Sequence, residues 1–481
     1  MHEDFFTGYE KDWGKRGLRQ VYAAPRGNAK TTVRVFIKTI HDCVYALEKF
    51  IVIFSSTSTM AQDKVKQIRD EMDLNEDLKH VFGDMKGKVW NQADFTTRLG
   101  TRVMAASPQT QIRGILEREA RPSKIVYDDV ESSEHVLTEL QREKMWSWHV
   151  QDVSKLGDRF TNFEAVGTIL HPESLMSRLL VNPGFAPART YRAVLNFSTA
   201  IELWKQWKII VTDLTNDYRL NDGRTFYEEN EEEMMDGVTV LWPEHEPYYD
   251  LMMMRIIEDD ISFYLEKQND PTPMGLNIFD MEAAGYFEIF PDRLERIDGV
   301  QVRLSDITDS AAFYDPAMGN SKESDFACCT VCLRDKNGYT YVVEAYMEQS
   351  DPPNEQIDAI VELLWRWQVP KIGIEANGFQ SLLVGTLRES LAAKAQKMGA
   401  LNWQVLPLAV KNIKAKPFRI ATLQTPVANR HVWFANTLPN EYITQFVDFR
   451  PVRDAGKDDA PDSCEGAIRV LNGLLDRRSP V

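Results

Sequence analysis

The apolar run Ile51–Phe54 and the strand candidates Lys124–Tyr127 and Lys371–Ile374 stop abruptly at Ser55, Asp128 and Glu375. The compactness of Ile51–Phe54 fits a strand buried on both faces of a parallel sheet, with a buried helix fragment as the alternative. Further strand candidates lie at 18–24, 101–106 and 164–168. Between them come stretches of helical rhythm: Val33, Val35, Phe36, Ile40, Val44 and Leu47 form one apolar stripe, and 58–80 is polar with the same period. Strands alternating with helices over such distances predict an α/β architecture.

At 481 residues the chain is too long for one core and predicts two or three domains. Apolar residues make up 43% and charged residues 27%, which excludes a disordered, collagenous or coiled-coil protein. No apolar run reaches the ~18 residues a membrane span needs. The first residues show no basic-then-apolar targeting pattern. Five cysteines suit a reducing compartment better than a disulfide framework, and Cys328, Cys329 and Cys332 lack the second cysteine pair that a zinc site would need.

The net charge of -16 is unevenly placed: residues 222–304 hold 21 acids and 6 bases, whereas 381–440 hold eight bases and a single acid, Glu389. An acidic total therefore does not exclude nucleic acid as a partner. We expect a first α/β domain over 1–221, an acidic linker and connector over 222–304, and a second domain over 305–481. The second domain reads as strand (311–314), strand (326–333), strand (339–346), helix (354–367), strand (371–374) and helix (379–398).

The strand candidate at 18–24 runs into Pro25-Arg26-Gly27-Asn28-Ala29-Lys30-Thr31-Thr32. A phosphate-binding loop needs successive backbone N–H groups, a lysine that reaches the phosphates and a hydroxyl for Mg2+. Lys30 and Thr31 stand where a Walker A motif ends, with Thr32 an alternative hydroxyl. Ala24 and Ala29 replace both motif glycines, leaving Gly27 to relieve the backbone. About 98 residues later, Asp128 ends a strand as a Walker B carboxylate would, and is the expected Mg2+-side residue. Neighbouring strand residues face opposite ways, so Asp129 and Asp128 should not share one role. Glu131 is the preferred base and Asp129 the alternative. Thr168, after the strand at 164–167, is a candidate γ-phosphate sensor, and Arg113 a candidate arginine finger.

A second constellation lies beyond residue 305. Asp315 and Glu375 each end a strand candidate, and Asp462 precedes a helix predicted at 463–475. Carboxylates from three separate elements are what two divalent ions need for phosphodiester hydrolysis. Asp459 is a possible fourth ligand and Asp325 a weaker one. Each alone also fits a turn or helix cap. Lys411, Lys414, Lys416, Arg419 and Arg430 form the densest positive stretch, suited to DNA phosphates without base readout.

As an ordered set, these motifs resemble the large terminase subunit of tailed double-stranded DNA phages. The resemblance runs through Ala24–Thr32, Gln111–Gly114, Arg121-Pro122, Ile125–Glu131, Gly167-Thr168 with Leu170-His171-Pro172, Asp315-Pro316-Ala317, Ser324-Asp325, Ile374–Gln380 and Asp458–Glu465. It implies an ASCE-type P-loop ATPase domain, a linker subdomain and a ribonuclease-H-like nuclease domain. By the same resemblance Lys30 meets ATP phosphates, Asp128 the Mg2+, Glu131 falls in the catalytic-acid region, and Thr168 in the coupling motif. Asp315, Glu375 and Asp462 fall on a nuclease triad using two Mg2+ or Mn2+ ions, with Asp459 beside it. The implied partners are double-stranded DNA, the portal protein and a small terminase subunit, with a homo-pentamer on the portal and a monomer as the alternative in isolation. The implied location is the host cytoplasm, with docking at the procapsid portal vertex and absence from the mature virion. A helicase or translocase without nuclease activity, or a non-enzymatic phage assembly component, are the competing readings.

Overall fold

The computed structural model describes residues 1–110, 121–136, 138–258, 260–271, 278–316, 325–349, 352–375, 381–400, 402–410, 412, 416–451 and 457–473. The chain divides into two compact units. The first comprises Met1–Thr199, Gly237–Met253 and Ile261–Thr272, and the second Ala200–Asp236, Met254–Asp260 and Pro273–Val481. No helix among the described residues is long and apolar enough to cross a membrane.

The first unit is built on eight strands: β1 (Arg19–Ala23), β2 (Phe50–Phe54), β3 (Lys86–Trp90), β4 (Asp94–Thr97), β5 (Arg102–Ala106), β6 (Lys124–Asp128), β7 (Asn162–Gly167) and β8 (Ala188–Thr190). Their order is β3-β4-β5-β2-β6-β7-β1-β8. From β5 to β8 every pairing is parallel, whereas β3, β4 and β5 pair antiparallel. A two-stranded ribbon of β9 (Val194–Asn196) and β10 (Thr239–Val240) stands apart.

Both faces of this sheet are buried, and β2 shows it directly. Phe50, Val52 and Phe54 join one apolar cluster and Ile51 and Ile53 the other, the two-residue period of a strand. On β6, Ile125 and Tyr127 enter the first cluster and Val126 the second. Parity then puts Asp128 on the Val126 side. Val35, Ile40, Cys43 and Val44, from the helical segment Thr32–Val44, pack on that same side. Strand periodicity thus delivers the Asp128 carboxylate to the face on which the helical segment Thr32–Val44 packs.

The second unit holds nine strands: β11 (Gly285–Ile289), β12 (Arg293–Arg296), β13 (Gln301–Arg303), β14 (Ile307–Asp315), β15 (Ala327–Asp335), β16 (Thr340–Glu348), β17 (Lys371–Glu375), β18 (Leu406–Val410) and β19 (Val432–Ala435). Their order is β13-β12-β11-β19-β16-β15-β14-β17-β18. The ladder β14–β15–β16 is antiparallel, and β17 and β18 continue it in parallel from β14. Ala312 lies opposite Ile372 and Tyr314 opposite Ile374, so the strand ends Asp315 and Glu375 fall at one sheet edge.

The helix Asp459–Leu471 crosses this sheet at close range. A Cβ on Gly466 would lie 2.3 Å from Phe313 Cγ, and one on Gly373 would lie 2.9 Å from Val470 Cγ2. Two positions without side chains therefore let helix and sheet approach. The helix's first turn reaches the carboxyl ends of β14 and β17, and all five cysteines of the chain are buried.

Candidate metal centre and phosphate-loop site

Asp315, Glu375 and Asp462 come together as the second unit's acidic centre. One carboxylate oxygen from each lies within 4.8 Å of the others. Burial pushes the Asp315 carboxyl well above the ordinary range; Lys416 opposes the shift, while Glu375 and Asp462 add to it. Burial likewise raises Asp462 to about 6, against Arg419 and Lys416, with Glu375 reinforcing the rise. Three converging hard oxygen donors, two held reluctant to ionise, form a set that fits Mg2+ or Mn2+, because a divalent charge relieves both burial and repulsion.

Lys416 reaches into the cluster. Its Nζ lies 2.7 Å from Asp458 Oδ1, 3.5 Å from Asp459 Oδ1, 3.6 Å from Asp462 Oδ2 and 3.8 Å from Asp315 Oδ2. Burial disfavours its charge, but Asp462, Asp458, Asp315 and Asp459 together outweigh that and raise its pKa. Arg419 is buried, with Nη1 2.8 Å from Asp462 Oδ1 and 3.1 Å from Glu465 Oε2. Asp459 accepts from the Phe326 backbone N–H at 3.0 Å and does not join the three clustered carboxylates; Asp325 is exposed. Asn412 Nδ2 donates to Glu375 Oε1 at 2.8 Å, and Arg469 Nη2 donates to Asn412 Oδ1 at 2.8 Å.

In the first unit the loop after β1 brings Lys30, Thr31 and Asp128 together. Thr31 Oγ1 donates to Asp128 Oδ1 at 2.7 Å. Lys30 is buried, its Nζ 3.3 Å from Ala24 O and 3.5 Å from Asp129 Oδ1. Burial lowers its pKa, partly offset by Asp129 and Asp128. Ala29 has φ +56° and Gly27 φ +89°, so the loop takes left-handed backbone at both, one of them without glycine. Thr32 opens the following helical segment, and Thr168 is a half-buried residue directly after β7.

Segments far along the chain hold this loop. Arg26 N donates to Glu266 O at 2.8 Å and its guanidinium pairs with Glu266. Lys267 donates to Arg26 O at 2.7 Å and pairs with Glu246, whose Oε2 accepts from Asn28 Nδ2 at 2.9 Å. The Asp128 carboxylate also pairs with Lys64, from the helix Ser58–Leu74. Burial raises the Asp128 pKa, with Lys64 opposing and Asp129 adding to the shift.

The two base candidates sit differently. Both Glu131 oxygens are engaged, accepting from Leu175 N at 2.7 Å and Met176 N at 2.9 Å. Burial lifts its pKa to about 7 against those two bonds. Asp129, with φ +46°, is a third exposed at its side chain and faces Lys30.

Arg113, Lys411 and Lys414 lie outside the described residues. Arg430 donates to Ala283 O at 3.1 Å. Sequence reasoning missed Lys64, Asn412, Glu465 and Arg469, together with Glu246 and Lys267. Asp462, Glu465 and Arg469 did offer a signal, since i, i+3 and i+7 share one helix face. Asn412 offered none.

Residues 312–469 match the family model described as the terminase RNaseH-like domain. No curated protein matches the chain. Among solved structures, the large terminase of a thermophilic bacteriophage aligns over 99% of this chain and 98% of its own at 9% identity, with TM-score 0.45. The human cytomegalovirus terminase nuclease domain aligns with 35% of this chain and 85% of its own at 11% identity and TM-score 0.27. Thermus thermophilus RuvC aligns with 35% and 98% at 16% identity and TM-score 0.20. These structural likenesses are too loose to transfer residue roles. The family-model match spans the stretch in which all three converging carboxylates lie, and residues 312–469 resemble the terminase RNaseH-like domain.

Proposed function

We propose that this chain cuts double-stranded DNA endonucleolytically at the Asp315–Glu375–Asp462 centre and drives DNA translocation into a procapsid by hydrolysing ATP at the Lys30 loop. The convergence of three carboxylates from two strand ends and one helix start carries the nuclease reading. Divalent cations bound there supply the charge and activated water that phosphodiester hydrolysis requires. The chain's own part is to hold Asp315, Glu375 and Asp462 at one spacing. Arg419 fixes the Asp462 carboxylate from behind, and Lys416 keeps local charge partly neutral until cations and DNA arrive. Buried against Asp462 and Glu465, Arg419 fits this orienting role better than contact with DNA phosphates. Lys416, part-exposed among carboxylates, is available to a phosphate at the centre itself.

The ATPase reading is supported by Thr31 and Asp128 sharing a hydrogen bond beside a buried Lys30. One strand, β7, separates the loop strand β1 from the carboxylate strand β6, an arrangement compatible with the ASCE-type domain that the resemblance implies. Between the two base candidates the geometry favours Asp129. It faces Lys30 and keeps access to solvent, whereas Glu131 has both oxygens tied to backbone N–H groups. A portal protein, a small terminase subunit and pentameric assembly in the host cytoplasm belong to the same proposal.

The test uses the full chain in plasmid nicking with Mg2+ or Mn2+ and in ATP turnover. We expect D315N and D462N, folded by circular dichroism, to lose nicking while retaining ATP turnover, and K30A to show the reverse. Full nicking by folded D315N and D462N would overturn the nuclease assignment. Unchanged turnover by K30A would overturn the ATPase assignment.

A further inference from the structure

We infer that Asn412 and Arg469 are positioning residues that set the spacing between Glu375 and Asp462, and with it the affinity of the centre for divalent ions. The inference rests on reading the three carboxylates as a metal centre. It adds a continuous polar arc behind two of them, in which Glu375 accepts from Asn412, Asn412 accepts from Arg469, Arg469 pairs with Glu465 at 3.4 Å, and Glu465 and Asp462 both pair with Arg419.

Donor and acceptor chemistry gives the arc one self-consistent orientation. A carboxylate only accepts and a guanidinium only donates. Arg469 therefore requires the oxygen of the Asn412 amide, which turns the amide nitrogen toward Glu375. At the opposite turn Arg419 meets two acceptors, Asp462 and Glu465. The amide stands between one donor and one acceptor, so it cannot invert without breaking both of its hydrogen bonds. Arg469 donates through Nη2 to Asn412 while its guanidinium pairs electrostatically with Glu465 through Nε, and a lysine offers only one nitrogen for both. Asp462, Glu465 and Arg469 ride one helix, whereas Glu375 ends β17 and Asn412 lies just beyond β18. The arc thus bridges helix and sheet edge at the point where the carboxylates must meet, and groups of this kind behind metal ligands typically change metal affinity or activity 10–100-fold.

The experiment measures Mn2+ binding to the full chain by calorimetry and nicking as a function of Mn2+ concentration, for wild type, N412A, R469K and the double variant. We expect N412A to weaken Mn2+ binding by ~10-fold or more. Its nicking plateau should be regained at high Mn2+. R469K should behave like N412A, and the double variant should be no worse than the poorer single, because both break one arc. A lower plateau with an unshifted Mn2+ midpoint, or losses that multiply in the double variant, would overturn the positioning role. N412A alone decides the matter if R469K does not fold. Absence of Mn2+ binding by wild type would instead overturn the metal-centre reading beneath it.

Discussion

Glu131 has almost left water, yet its carboxylate is held by two backbone N–H groups at the start of the helix Leu175–Leu180. Its pKa of about 7 stands above the ordinary 4.5, so folding favours the protonated acid. The stabilisation linked to that proton is complete below about pH 4.5 and is lost as pH rises through about 7. Replacing it with Gln removes the titration while adding a pH-independent offset, since an amide NH2 cannot accept from a backbone N–H. Wild type should therefore lose on the order of 1–3 kcal/mol relative to E131Q between those two pH values. Urea denaturation of both proteins at several pH values checks this, and parallel pH profiles would contradict it. At this scale the sequence was partly legible. Lys30, Thr31 and Asp128 could be placed because a motif fixes their order. Lys64 and Asn412 could not, because each acts through long-range contacts that leave no periodicity behind.

Among the elements, the helix Asp459–Leu471 does most to assemble the acidic centre, and Gly466 sets how near it comes to β14. A methyl group there would overlap the buried Phe313 ring, with a closest approach of 2.3 Å. We expect G466A to cost ~1–3 kcal/mol or more, the range for overpacked cores. It should also abolish nicking, because lifting the helix carries Asp462 away from Asp315 and Glu375. Urea denaturation with plasmid nicking measures both effects; a stable, fully active G466A would show that the close approach is dispensable. The strands that end in acids were readable as elements because burial on both faces leaves compact apolar runs. The ladder β11–β12–β13 was not. Arg293, Leu294, Glu295 and Arg296 alternate charge with a single core residue, and within an acidic stretch that pattern reads as connector. The glycines that let helix and sheet touch gave no warning either, since Gly373 and Gly466 carry no period of their own.

For the whole molecule, the consequence concerns where the second unit can be cut. A fragment beginning at 305 looks natural from sequence, yet β11 pairs in parallel with β19, Gly285 opposite Trp433 and Phe287 opposite Ala435. Removing β11–β13 would uncover β19, whose residues Val432–Ala435 are all buried. An uncovered apolar strand edge invites pairing with other chains. We expect residues 278–481 to be soluble and residues 305–481 to aggregate, with light scattering as the measurement; equal behaviour would show that β11–β13 are dispensable. Length predicts two or three domains, and the chain divides into two compact units. That 200–236 groups with the second unit and 237–253 with the first was not foreseeable, because composition cannot say which surface a helix covers.

Lys64 on Asp128 and Lys416 among Asp315, Asp458, Asp459 and Asp462 give each acidic centre a tethered ammonium of its own. In both places the carboxylates are already partnered by a positive charge that the chain itself supplies and cannot lose. Any second cation that entered either cluster would have to compete with that tethered one, so its affinity there would be set by the lysine as much as by the acids.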